Sequence, residues 1–125
     1  MSLWQGTSTR KPSGGRLISA RNKRRFEVAP EDAETKLGSH VQKLIRSRGA
    51  HQKVKLLATD SVSVMDKKTG KAKKATIKTV TENGANIHYT RRNILTKGAV
   101  VDTDAGKVKI TSRPGQSGAL SGVLI

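Results

Sequence analysis

A break in composition near Leu37 sets the strongest limit on what this chain can fold into. Upstream of it Leu, Ile, Val and Phe are sparse, and Gly, Ser, Thr, Arg and Lys dominate. From Met1 to Phe26 there is no acidic residue, while Arg10, Lys11, Arg16, Arg21, Lys23, Arg24 and Arg25 all fall in that stretch. A segment this polar buries too little apolar area to offset the entropy lost on ordering its backbone. Residues 1–36 are therefore expected to form a long basic extension lacking regular structure, disordered when alone. Residues 37–125 are expected to form the folded domain. Ala29-Pro-Glu-Asp-Ala-Glu34 is an acidic cluster, and Pro30 followed by Glu31 and Asp32 suits the first turn of a short helix.

Beyond Leu37, short β-like runs alternate with turn signals. Val41–Arg46 predicts a first strand, and Gly49–Gln52 a turn. The positions Val54, Leu56, Ala58, Asp60, Val62 and Val64 repeat with period two, and the polar break at Asp60 predicts a bend or bulge. Asp66–Lys71 reads as a hairpin loop with Gly70 in a left-handed conformation, and Ala75–Thr81 as its returning strand. Ala99–Thr103 and Lys107–Thr111 flank a three-residue hairpin loop, Asp104–Gly106, with Val108 and Ile110 facing one way and Lys107 and Lys109 the other. Arg113-Pro-Gly-Gln116 fits a type II turn, and Val123–Ile125 a last short strand. Only Trp4, Phe26 and Tyr89 are aromatic, so the core must be built from Val, Ile, Leu and Ala. The pattern predicts an all-β fold, a small antiparallel β-barrel-like domain. Asn83–Gly98, which holds His88, Tyr89, Arg91, Arg92 and Lys97, reads as a long functional loop.

Charge narrows the partner. Lys and Arg number 25 against 9 Asp and Glu, a formal net charge of +16. Such a surplus repels itself in a compact state unless a polyanion neutralises it. No apolar run approaches the roughly 18–20 residues that span a bilayer, and no basic amphipathic helix is evident. The start is basic but lacks the apolar stretch of a secretory signal. No membrane partner is expected, and nucleic acid leads. Without cysteine, disulfides and thiolate metal sites are excluded and a cytoplasmic setting is natural. Few aromatics argue against stacked-base reading of single strands and favour phosphate contacts on folded RNA.

The candidate RNA-binding residues follow from that expectation. Gly14 and Gly15 let the extension bend close to a phosphate chain, while Arg10, Lys11, Arg16, Arg21, Lys23, Arg24 and Arg25 supply cations. Trp4 either stacks on a base or docks into a protein groove. Arg46 and Arg48 share one side of an extended segment and, with Gly49, Lys53 and Lys55, form either a basic ridge at one end of the barrel or a solvated strand face. Tyr89 with Arg91 and Arg92 grips a backbone bend, or Tyr89 plugs the barrel end. Lys67, Lys68, Lys71, Lys73 and Lys74 crowd one hairpin tip, facing RNA or solvent. Signs of catalysis are absent. His40, His51 and His88 lack metal-ligand spacing. Gly70-Lys71 and Gly106-Lys107 lack the upstream glycine of a phosphate-cradling loop. Asp102 and Asp104 flank a turn. No catalytic, metal or cofactor site and no small-molecule substrate is expected, and the chain is not read as an enzyme.

Several blocks, in order, carry a family likeness. Trp4-Gln-Gly-Thr-Ser-Thr-Arg-Lys-Pro-Ser-Gly-Gly-Arg16, Ala20–Glu27, Thr35-Lys-Leu-Gly38, Arg46-Ser-Arg-Gly49, Lys53-Val-Lys-Leu-Leu57, Tyr89–Val100 and Thr111-Ser-Arg-Pro-Gly-Gln116 resemble the ribosomal protein S8e family, in its compact archaeal form. The likeness spans essentially the whole chain. It implies a structural protein of the small (30S) ribosomal subunit, bound to 16S-type ribosomal RNA and neighbouring ribosomal proteins. It also implies a barrel-like body with a basic extension reaching into RNA, and adds Lys97, Arg113 and Gln116 to the RNA-facing set. Where similar proteins often have Gly-Gly after the arginine at 48, this chain has Gly49-Ala50. A free RNA-binding assembly factor, or another nucleic-acid-binding module, is the alternative.

Overall fold

The computed structural model describes residues 3–125; Met1 and Ser2, which open the expected extension, lie outside the described residues. The chain divides into two compact units, with the boundary between Asp32 and Ala33.

In the first unit, β1 (Leu3–Trp4) pairs antiparallel with β2 (Val28–Ala29), and a single 3-10 turn, Arg25–Glu27, leads into β2. A small hairpin sits between them. Leu17 N donates to Thr9 O at 2.8 Å, Lys11 N donates to Gly15 O at 2.8 Å, and Arg10 and Arg16 bridge. These pieces exceed what the composition predicts. They are held by backbone hydrogen bonds and an Arg21–Glu27 ion pair rather than by apolar burial, since no described residue of this unit is buried. The helical turn that Pro30, Glu31 and Asp32 would suit does not form. Ala29 is committed to β2, opposite Leu3 of β1, and Thr35 belongs to the second unit. It is fully buried there, its hydroxyl donates to Leu56 O at 2.6 Å, and its carbonyl accepts from Leu95 N.

The second unit contains β3 (Lys36–Leu37), β4 (Val41–Arg46), β5 (Gln52–Thr59), β6 (Ser61–Met65), β7 (Ala72–Glu82), α1 (Ile87–Arg91), β8 (Val100–Thr103), β9 (Gly106–Ile110) and β10 (Ser121–Leu124). Five strands close a barrel in the order β10-β6-β7-β8-β9, and β3-β5-β4 make a separate sheet. Asp60 is the bend between β5 and β6. Inward positions alternate as the sequence requires: Val62 and Val64 on β6, Ala75 and Ile77 on β7, Val101 and Thr103 on β8, Val108 and Ile110 on β9 are buried. Leu56, Val80, Leu95, Ala99 and Leu120 complete the core. Each fully buried aliphatic side chain stabilises the fold by about 1.5–3 kcal/mol.

Four details depart from the sequence reading. The barrel is not wholly antiparallel, because β10 returns beside β6 in parallel, Ser121 opposite Ser63, while pairing antiparallel with β9. Each successive pair from β6 to β10 is antiparallel, so with five strands the closing pair, β10 and β6, has to run parallel. The β8–β9 loop has two residues, since Gly106 already pairs with Thr103. The turn at Arg113 is not type II: Gln116 N and Ser117 N both donate to Arg113 O at 2.9 Å, and Gly115 has no positive φ. Within this turn Pro114 O accepts from Leu56 N at 2.9 Å. Finally, Asn83–Gly98 is not simply a loop. It contains α1, capped by Asn86, whose Oδ1 accepts from His88 N at 2.9 Å, and it buries Ile94 and Leu95. Asn83 braces the segment, accepting from Ala85 N and Thr96 Oγ1 and donating to Ile94 O.

Candidate nucleic-acid interface

Trp4 organises the first unit. Its indole Nε1 donates to Thr7 O at 2.8 Å, and Lys23 Nζ stands 5.9 Å from the ring centroid. Gly6 lies so close that an added Cβ would fall 2.2 Å from the ring. The chain's own atoms therefore hold the indole that the sequence reading offered to a base or a protein groove. Arg21 grips Glu27 through both guanidinium nitrogens, Nη1 at 2.9 Å. That pairing, with a second bond from Arg24 N, holds the Glu27 carboxyl down at about 2 and raises Arg21. Arg10 Nη1 donates to Gly14 O at 2.9 Å, stiffening the hairpin around Gly14 and Gly15. Lys11, Arg16, Arg24 and Arg25 are exposed, and among the described residues none forms an ion pair with a carboxylate. These and Lys23 are exposed cations of this unit without a carboxylate ion pair among the described residues.

In the second unit the β4–β5 hairpin sorts its side chains by register. Lys43 faces Lys55 and Ile45 faces Lys53 on one side; Gln42 faces Leu56, Leu44 faces Val54 and Arg46 faces Gln52 on the other. Arg46 thus points away from Lys53 and Lys55, and the single ridge expected from the sequence is divided between two faces. Arg48 does not continue Arg46's strand side either, because it lies in a 3-10 turn. Gly49 and Ala50 there are both left-handed, with φ of 71° and 60°. Ala50 thus holds a left-handed conformation although it carries a Cβ. Lys53 Nζ donates to Gln116 Oε1 at 2.9 Å, which brings the Arg113–Gln116 turn to the same hairpin. Lys43 escaped the sequence reading. Its side of the strand follows only from the register that the Gly49–Ala50 turn imposes.

The remaining candidates cluster around α1. Tyr89 is half-buried, Arg91 and Lys97 are exposed, and Arg92 is engaged by Glu34, Nη2 to Oε2 at 2.5 Å. At the β6–β7 tip Gly70 is left-handed, φ 67°, and Asp66 accepts from Lys68 N and Thr69 Oγ1, each at 2.9 Å. The Lys68 bond leads in holding the Asp66 carboxyl below its ordinary range. Lys67, Lys68, Lys71, Lys73 and Lys74 are exposed around it. Asp102 lies opposite Lys107, and Asp104 lies 3.5 Å from Lys78. No cluster of His, Asp and Glu able to hold a metal occurs among the described residues. These surfaces present ammonium and guanidinium groups on a rigid frame, chemistry suited to gripping a polyanion.

Comparison with known proteins agrees along the full length. The family model described as Ribosomal protein S8e matches residues 4–125. A small ribosomal subunit protein eS8 from Methanosphaera stadtmanae is 50% identical over 100% of this chain and 99% of its own. The proteins of the same name from Methanocorpusculum labreanum and Methanosarcina barkeri are each 49% identical over 98% of this chain and 98% of theirs. The barrel, the ordered blocks and these matches lead to one assignment: the chain belongs to the ribosomal protein S8e family.

Proposed function

We propose that this protein is a structural, non-catalytic constituent of the small ribosomal subunit. In this reading it binds 16S-type ribosomal RNA through its basic extension, residues 1–36, and through cationic loops of the barrel. It lies among neighbouring ribosomal proteins in the cytoplasm and serves subunit assembly and translation. The observation that carries the reading is the set of exposed cations left without carboxylate partners on both units, in a chain whose relatives are named small ribosomal subunit proteins. Each phosphate neutralised releases counterions, so affinity falls with salt at a slope of about 0.7–0.9 per contact. RNA shape counts for more than base identity, because few aromatic rings are available for stacking.

Sedimentation of a native lysate tests this. The expected result is one copy per small subunit, retained through a high-salt wash. Substoichiometric association would favour a free assembly factor, and wholly unattached protein would refute the ribosomal reading. Removing residues 1–29 is expected to leave the barrel folded and impair incorporation, measured by subunit occupancy.

A further inference from the structure

Lys43 and Lys55 are directly opposed across β4 and β5. Side chains so placed have Cβ atoms about 4.5–5.5 Å apart, and like charges there destabilise the sheet. Nothing among the described residues relieves them: neither lysine takes part in an ion pair or hydrogen bond, and Glu27, Glu34 and Asp104 are engaged by Arg21, Arg92 and Lys78. Lys53 stands two residues from Lys55 on the same face, beside Ile45, its ammonium held by Gln116. The strand places Lys53 and Lys55 about 6.6 Å apart along its length, a spacing comparable to that of neighbouring phosphates in a nucleotide chain. The free fold thus carries a repulsion that an anion between the two ammonium groups would turn into attraction.

We propose that Lys43 and Lys55 bracket one phosphate of an RNA strand, and that Lys53, positioned by Gln116, takes the adjacent phosphate. This rests on the RNA-binding reading above and adds to it a defined site and a new residue, Lys43. A phosphodiester suits the site because its two unesterified oxygens sit on one phosphorus, one for each ammonium, and lysine binds phosphate as an adaptable point charge. An acidic peptide along the same face is the competing occupant.

The test uses the full-length protein, its Lys43→Thr variant, and 16S ribosomal RNA from one of the archaeal relatives, titrated between 50 and 200 mM KCl. Lys43→Thr is expected to raise the thermal midpoint of the free protein, because a repulsion is removed. It is expected to lower RNA affinity about tenfold at low salt and to reduce the salt slope by about 0.7–0.9. Wild-type affinity and slope in the variant would overturn the bracket while leaving the RNA-binding reading intact. So would unchanged RNA binding together with loss of polyglutamate binding, which would assign the face to an acidic peptide. If the unaltered protein shows no salt-dependent RNA binding, the functional reading itself fails, and the bracket with it.

Discussion

Ala50 is the best place to test whether the β4–β5 turn is built as described. It is a non-glycine residue at φ 60°, next to Gly49 at 71°. An L-residue held in the left-handed region costs roughly 1–2 kcal/mol, because its Cβ crowds the neighbouring carbonyl. Ala50→Gly removes that crowding. The added glycine also makes the unfolded chain more flexible, which returns about 0.4–1 kcal/mol. The net expectation is a gain of about 0.5–1 kcal/mol, or roughly 2–6 °C in thermal midpoint for a unit of this size. Gly49→Ala should do the reverse and lose more, since its new Cβ would also lie 3.2 Å from the His51 ring. Gly84→Ala supplies the control. That position has neither a positive φ nor any atom within 4 Å of an added Cβ, so alanine there should be neutral or mildly stabilising. Urea unfolding followed by far-ultraviolet circular dichroism reads all three as shifts in midpoint at constant slope. A destabilising Ala50→Gly would refute the left-handed conformation of Ala50.

Other consequences are open to the same tools. An added Cβ at Gly122 would lie 2.4 Å from Val108 Cγ1 and 3.0 Å from Lys109 O, so Gly122→Ala should destabilise the barrel by about 1–3 kcal/mol in urea unfolding. Glu27 has its carboxyl held at about 2 against an ordinary 4.5, so its ion pair stabilises the first unit fully above pH 4.5 and is lost as pH falls through 2. Trp4, the only tryptophan, lies in that unit, so its fluorescence should change across this window, and Glu27→Gln should abolish the acid transition. Asn83→Ala leaves Ile94 O and Thr96 Oγ1 without their partner, and should cost about 1–3 kcal/mol and loosen hydrogen-exchange protection around α1.

Much of the barrel could be read from period-two alternation. Val62, Val64, Val108 and Ile110 fall on the buried side, and Lys107 and Lys109 on the exposed side, because a half-buried strand has no other way to satisfy both. Strand direction could not be read. Nothing in Ser121–Leu124 distinguishes a parallel neighbour from an antiparallel one. Thr35 fell within the expected extension, and its burial rests on partners distant in sequence, the carbonyl of Leu56 and the amide of Leu95. The cationic candidates were legible as a population but not as a surface. Arg21 and Arg92 pair on the surface with Glu27 and Glu34, and Arg46 and Lys55 separated onto opposite faces, because register and ion pairs are set by contacts the local sequence does not contain.

The parallel seat of β10 also bears on biosynthesis. A nascent polypeptide leaves the peptidyl-transferase tunnel amino end first, so β6 through β9 emerge as an open curl whose two rims lie unpaired until Ser121–Leu124 arrives to join them. For that interval the aliphatic lining is accessible to solvent and to other chains, the condition that favours aggregation or chaperone capture. The cationic leader is already free by then and can engage a polyanion before the body behind it is sealed.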